Sequence, residues 1–179
     1  MSMVYEPRRG KPDVLGIDFG GVIIDASRDL FNNEPEVWTA ASVPPLEGAF
    51  ETLRYLARIR FGDRIWIISH AGNAVKQART ILWLIYHNAY EEMSIPPHHV
   101  VFCPTSRAKA RFCDELGVTH FLDNSVPVLR GLSAEVIKYL FLPILPGPQD
   151  LKTQTRFLPD GINPIASWEE FGQTIQPSL

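Results

Sequence analysis

The stretch VLGIDFGGVIID, Val14 to Asp25, brings an apolar run to an end in a single carboxylate, Asp18, followed at once by Gly20 and Gly21. A carboxylate there can attack as a nucleophile, ligate a hard metal ion, grip the nucleotide of a kinase or simply turn the chain. A charge at the end of a buried strand is costly unless something pairs or uses it, which favours the functional readings. Other polar groups close or flank apolar runs farther along. Ser69 follows IWII, Asp123 and Asn124 follow THFL, and Lys109 stands near the start of the helical stretch that precedes THFL. Taken alone, Ser69 is an ordinary helix cap and Lys109 an ordinary solvated helix residue, with Arg107 and Arg111 as equally basic neighbours. Chemistry requires that carboxylate, hydroxyl, ammonium and second carboxylate converge.

The elements that must bring them together alternate along the chain. Val14 to Phe19, Ile65 to Ile68, Val100 to Cys103, Thr119 to Leu122 and Val136 to Leu142 read as five short strands. Glu47 to Arg60, after Pro44 and Pro45, reads as an amphipathic helix, and Asn73 to Tyr90 as a long one with Val75, Ala78, Ile81, Leu82 and Ile85 turned inward. Thr105 to Leu116, closed by Gly117, and Ser125 to Leu132 supply two more helices. Strands apolar on both sides that alternate with helices imply a doubly wound α/β fold, a parallel sheet covered on both faces. Ligands of such sheets sit beyond the carboxyl ends of the strands. Asp18, Ser69 and Asp123 fall there, and Lys109, opening the helix that returns to the fourth strand, reaches the same crevice. After Leu142 the Pro-rich PILPGP leads to an irregular tail and a last helix, Ser167 to Ile175, capped by Ser167 and assigned to packing.

A chain of 179 residues, 45% apolar, suits one globular domain over residues 13–179, with residues 1–12 as a flexible arm. The net charge of −3 provides no basic stripe beyond Arg8, Arg9 and Lys11, so nucleic acid is not indicated, though not excluded as a substrate. MSMVYEPRRGKP has no apolar signal region and no window of about eighteen apolar residues follows, which argues against secretion or a membrane span. Cys103 and Cys113 form neither a disulfide framework nor a CxxC pair; each reads as a small half-buried apolar residue in a reduced, cytoplasmic compartment. His98 and His99 follow two prolines and are expected in solvent. His70 has no second His or Cys at ligand spacing and is read as structural or substrate-contacting.

In chain order the patterns hhhhDxGGV, hhhS, a Lys and hhhDN, with h apolar, resemble the four motifs of the haloacid dehalogenase-like (HAD) hydrolase superfamily over about Val14 to Phe141. The resemblance implies a HAD-type Rossmannoid with a five-stranded parallel sheet ordered 5-4-1-2-3 and Asp18 on the central strand. It implies a Mg²⁺-dependent phosphomonoester hydrolase in which Asp18 attacks phosphorus to give an aspartyl-phosphate. Asp18, the Gly20 carbonyl and Asp123 would hold Mg²⁺. Ser69 and the backbone N–H groups of Ala71, Gly72 and Asn73 would hold phosphoryl oxygens, and Lys109 would neutralise the remaining charge. Cap insertions set substrate access in this family. Asp18 to Ser69 is 51 positions and Ser69 to Lys109 is 40, so no full cap domain fits, and Ala26 to Val43, with Phe31 and Trp38, is at most a modest flap. An open crevice suits a bulky macromolecular phosphoester, or a phosphorylated small molecule if a partner subunit supplies the lid. The ending IASWEEF resembles the last helix of nucleotidase-like members and tilts the reading toward nucleotides.

Two positions depart from the family pattern. Most HAD phosphatases carry a second Asp two residues after the nucleophile as general acid and base; here that residue is Gly20, and Asp25, seven residues after Asp18, is the auxiliary candidate. Asn124 replaces a second acid beside Asp123, which lowers the expected Mg²⁺ affinity. These departures frame an alternative, a catalytically weakened HAD-fold binding or regulatory module. GIDFGG is also similar to the first phosphate motif of sugar kinases in the actin-like superfamily. Val22 stands where that motif has Thr, no second phosphate motif follows, and two actin-like lobes need a longer chain.

Overall fold

The computed structural model describes residues 12–25, 40–143 and 158–175. The elements expected from sequence map onto a parallel sheet of six strands rather than five, in the order β3-β2-β1-β4-β5-β6. The strands are β1 (Leu15–Ile17), β2 (Ile65–His70), β3 (Val100–Cys103), β4 (His120–Asp123), β5 (Ile137–Phe141) and β6 (Ile162–Ile165). The first five stand in the expected order. β6 is the correction: it lies in the tail read as irregular, where it pairs parallel to β5 from Lys138↔Ile162 to Phe141↔Ile165. Four residues containing Pro164 give a weak strand signal, and proline is tolerated there because β6 is the edge of the sheet.

Alternation sends successive side chains of each strand into two separate cores. Leu15 and Ile17 of β1, Ile65 and Ile67 of β2, Leu122 of β4 and Tyr139 and Phe141 of β5 enter one, with α1 (Ala49–Leu56), α2 (Ala74–Tyr86) and the C-terminal helix over them. Ile68, Phe121 and Leu140 enter the other, under α4 (Lys109–Glu115) and α5 (Val126–Gly131). A short α3 (Ala89–Glu92) follows α2, and α6 (Trp168–Thr174) closes the described chain. Ser167 caps α6 by accepting the Glu170 N–H at 3.1 Å. The flap segment and the N-terminal arm lie almost entirely outside the described residues.

The long helix expected over Asn73 to Tyr90 is divided, because Asn88 takes a left-handed backbone with φ 50° between α2 and α3. Its facing is also opposite to expectation. Thr80, Trp83 and Leu84 are buried, whereas Val75, Ala78, Ile81, Leu82 and Ile85 face out. Trp83 settles the orientation: its ring packs edge-on to Phe19 and Phe50, and its indole N–H donates to the Val43 carbonyl at 2.7 Å. His99 is a second correction. It is buried, stacked on Trp66 at 3.9 Å with Nδ1 at 3.1 Å from the Ile65 carbonyl, and burial lowers its pKa. Both cysteines are more deeply buried than expected; burial pushes the Cys103 thiol up to about 11 and the Cys113 thiol up to about 12. Among the described residues no helix is long and apolar enough to cross a membrane.

Gly16, two residues before Asp18, sits under the Phe121 ring. A Cβ there would lie 2.5 Å from Phe121 Cδ2 and 3.2 Å from Val118 Cγ1. Gly16→Ala is therefore expected to cost about 1–3 kcal/mol of unfolding free energy in urea, as overpacking does. Adding Phe121→Leu should return part of that loss, and a Gly16→Ala protein as stable as the parent would show that the ring is not seated there.

Candidate active site

β1 and β4 are adjacent and in register, Ile17 opposite Leu122. The next residue on each strand is Asp18 and Asp123, and the Asp18 N–H donates to the Leu122 carbonyl at 2.9 Å. Neighbouring residues at the same register of a parallel sheet point to the same face, so the two carboxylates emerge side by side. α4 crosses that face and delivers Lys109, whose Nζ lies 2.7 Å from Asp18 Oδ1 and 2.7 Å from Asp123 Oδ2. All three are buried, Asp123 completely and Lys109 to within 2% exposure. Asp123 Oδ1 accepts the Ser125 N–H at 2.8 Å, the start of α5, so both oxygens of that carboxylate are engaged. Lys109 is the only one of the three neighbouring cations to reach the group: Arg107 is exposed, and Arg111 is exposed and paired with Glu115.

The charges set the electrostatics. Burial pulls the Lys109 ammonium down, but Asp18 and Asp123 together outweigh it and hold its pKa above the ordinary value. Asp123 is pushed up to about 6, first by burial and then by Asp18, against the opposing pull of Lys109 and the Ser125 N–H. Two carboxylates sharing one ammonium leave one negative charge in excess. Hard oxygen donors with surplus charge fit a Mg²⁺-like cation and not zinc. Among the described residues no three His, Cys, Asp or Glu side chains gather as a metal cluster, so such a cation would rest on two carboxylates and the Gly20 carbonyl.

The loop after Asp18 is fixed by its own main chain. The Phe19 carbonyl accepts from Ile23 at 3.0 Å, the Gly21 N–H donates to the Ile24 carbonyl at 2.8 Å, and Ile24 bridges to Pro45. Gly21 takes φ 79°, which only glycine adopts without strain. Gly20 does not: its φ lies outside the left-handed region, and a Cβ there would meet nothing within 4 Å. Asp25 is half-buried beyond this loop and outside the ion-paired group, and Asn124 is exposed.

Ser69 is buried to 5% exposure near the end of β2, and its hydroxyl makes no hydrogen bond among the described residues. The cradle expected after it is only partly available. The Ala71 N–H is spent on the Cys103 carbonyl at 3.3 Å, whereas the Asn73 side chain caps α2 by accepting the Lys76 N–H at 2.9 Å, which leaves its backbone N–H uncommitted by that bond. Gly72 stays exposed and must be small, since a Cβ would lie 3.0 Å from the Pro104 carbonyl oxygen. His70 is exposed with Nδ1 at 3.3 Å from Ser106 Oγ, a partner the sequence did not suggest. Trp168 is the residue sequence reasoning undervalued most. Its indole N–H donates to the Val22 carbonyl at 2.8 Å, tying the C-terminal helix to the loop that follows Asp18.

The parallel α/β architecture is that of a HAD-like fold. No protein-family model matches the chain, and no curated protein matches it. Among solved structures it is similar to a HAD-superfamily hydrolase, subfamily IA, variant 1, from Geobacter sulfurreducens PCA, with a TM-score of 0.53 over 92% of this chain and 100% of that one. At 11% identity the likeness is one of fold.

In chelator-treated protein the Asp123 shift has a testable sign. Its folded pKa is raised from 3.8 to about 6, so the stability it contributes is fully present below 3.8 and lost as pH rises through about 6. Asp123→Asn is expected to flatten that part of the pH profile of unfolding free energy, and Lys109→Met to move the loss to higher pH. A profile indifferent to Asp123→Asn would show that this carboxyl is not desolvated.

Proposed function

We propose that the chain is a Mg²⁺-dependent phosphomonoester hydrolase working through an aspartyl-phosphate on Asp18. The observation that carries this reading is the buried Asp18–Lys109–Asp123 group at the carboxyl edge of two central strands. Lys109 takes one oxygen of Asp18, and the other, Oδ2, accepts no hydrogen bond among the described residues. Asp18 Oδ2 is the nucleophile: it forms a bond to phosphorus as the bond to the leaving oxygen breaks. Asp18, the Gly20 carbonyl and Asp123 would hold Mg²⁺, which when bound offsets the repulsion between an anionic nucleophile and an anionic phosphate. The Ser69 hydroxyl donates to a phosphoryl oxygen, with the Gly72 N–H beside it, and Lys109 balances charge on Asp18 as it is esterified. The leaving oxygen departs with its electron pair and takes its proton from solvent, because residue 20 has no side chain to supply one. Water then attacks the aspartyl-phosphate, releasing phosphate and restoring the carboxylate. The crevice is read as capless or small-capped, the substrate as a nucleotide or bulkier phosphoester, and the compartment as cytoplasmic.

Gly20 favours the second reading, a binding or regulatory module that has lost turnover. The two part on a phosphatase screen with aryl phosphates, nucleotides and phosphopeptides. Mg²⁺-dependent hydrolysis abolished by chelation and lowered about 10⁴-fold or more by Asp18→Asn is expected. Inertness toward all three, with no Mg²⁺ binding by calorimetry, would establish the module; undiminished turnover by Asp18→Asn would remove the aspartyl-phosphate.

The missing acid gives a sharper expectation. Aryl phosphates, whose leaving groups need little protonation, should be hydrolysed far faster than alkyl phosphates. Gly20→Asp enters open space on an unstrained backbone, and should raise alkyl-phosphate turnover by about 10²-fold with little effect on aryl substrates. If Asp25 already supplies the proton, the wild-type gap will be small and Asp25→Asn will widen it.

A further inference from the structure

The outward face of α2 is apolar along its length. Val75, Ala78, Ile81, Leu82, Ile85 and Tyr86 are all exposed, Val75 to 60%, Leu82 to 53% and both Ile85 and Tyr86 to 61%. Their spacing of three and four residues keeps them on one stripe, while the inward stripe is already occupied by Thr80, Trp83 and Leu84. Both charged residues of the helix, Lys76 and Arg79, are basic and lie half-buried to the side. A helix apolar on both faces is buried on both in a stable assembly.

We propose that α2 is the seam of a homodimer, packed antiparallel against α2 of a second copy about a two-fold axis passing between Ile81 and Leu82. Three features select this occupant and orientation. Antiparallel pairing about that point sets Ala78 opposite Ile85 of the other copy, small against large, on both sides of the axis. It also separates like charges. A parallel pair would oppose Lys76 to Lys76; the antiparallel pair sets it beside the uncharged last turn of the partner helix, at the negative end of that helix dipole. Finally, a symmetric seam about 20 Å long on each copy removes on the order of 1,000 Å² in total, which meets the lower bound for a specific interface. The second copy would also bring the C-terminal turn of its α2 alongside the first turns of this one, which begin at Ala74, five residues after Ser69.

Sedimentation equilibrium of the full chain is expected to show a dimer at ~100 μM, well above the micromolar constants typical of small interfaces. Ile81→Glu should weaken association at least about tenfold with an unchanged circular dichroism spectrum. Under mild oxidation Leu82→Cys, close to the axis, should cross-link to itself and Ala78→Cys should not; Cys103 and Cys113 are buried and give no background. A chain that stays monomeric at ~100 μM, whether another segment of the same chain, a different protein or a lipid surface takes the face, overturns the proposal. So does a dimer that survives Ile81→Glu, or one that cross-links through Ala78→Cys in place of Leu82→Cys.

Discussion

The carboxyl edge of the sheet is organised by one ammonium held between two buried carboxylates. Asp18, Asp123 and Lys109 are all buried and each is paired within the group; removing one member strands the charge of the others. That mutual dependence fixes the relative placement of three elements. β1 and β4 must be adjacent and in register so that the carboxylates emerge together, and α4 must begin directly above them. The compact turn Ser106–Ala108, capped by Thr105 accepting the Ala108 N–H at 3.2 Å, sets where α4 begins. Phe121 lies beneath, its ring centroid 5.8 Å from Lys109 Nζ, so the same side chain that demands glycine at residue 16 also floors the ion pairs.

The loop after the nucleophile is held from a distance in sequence. Trp168 is buried against Phe141 and Phe171, and its N–H reaches the Val22 carbonyl across 146 residues. At the opposite edge of the sheet Arg60 plays a comparable part. Its guanidinium donates to Asp13 Oδ2 at 2.9 and 2.7 Å and to the Ile175 carbonyl, and lies 3.3 Å from His120 Nε2. The segment entering β1, the start of β4 and the end of α6 are thereby joined by one side chain. The approach to β1 and the loop that leaves it are thus both clamped, and both clamps use the C-terminal helix.

The sequence was most legible where chain order and physical cost agree. Asp18, Lys109 and Asp123 each follow from a charge at a strand end or helix start, and the order of the first five strands follows from alternation together with the resemblance to HAD-like hydrolases. β6 was hidden because four residues with an internal proline do not look like a strand until β5 offers an edge. The facing of α2 was hidden for a different reason. Its apolar residues form two stripes, and periodicity detects stripes without saying which one the core takes. Trp83 was the available signal, since the largest side chain of the helix commands the most buried area. The hydrogen bond from Trp168 to Val22 had no local signature at all.

Gly20 has a physical logic separate from backbone geometry. The neighbouring turn needs glycine at residue 21, where φ is 79°, whereas residue 20 has ordinary backbone and open space. Its lack of a side chain is therefore a matter of charge and chemistry. A carboxylate at that position would add a third negative group beside a site where two already outnumber one ammonium, and Asp123 already holds its proton up to about 6. The glycine confines the excess to a single charge, which eases assembly of the buried group. The same absence removes the nearest position for a proton donor. Stability of the buried charges and protonation of a leaving group are thus opposed at one residue, and this chain stands on the side of the first.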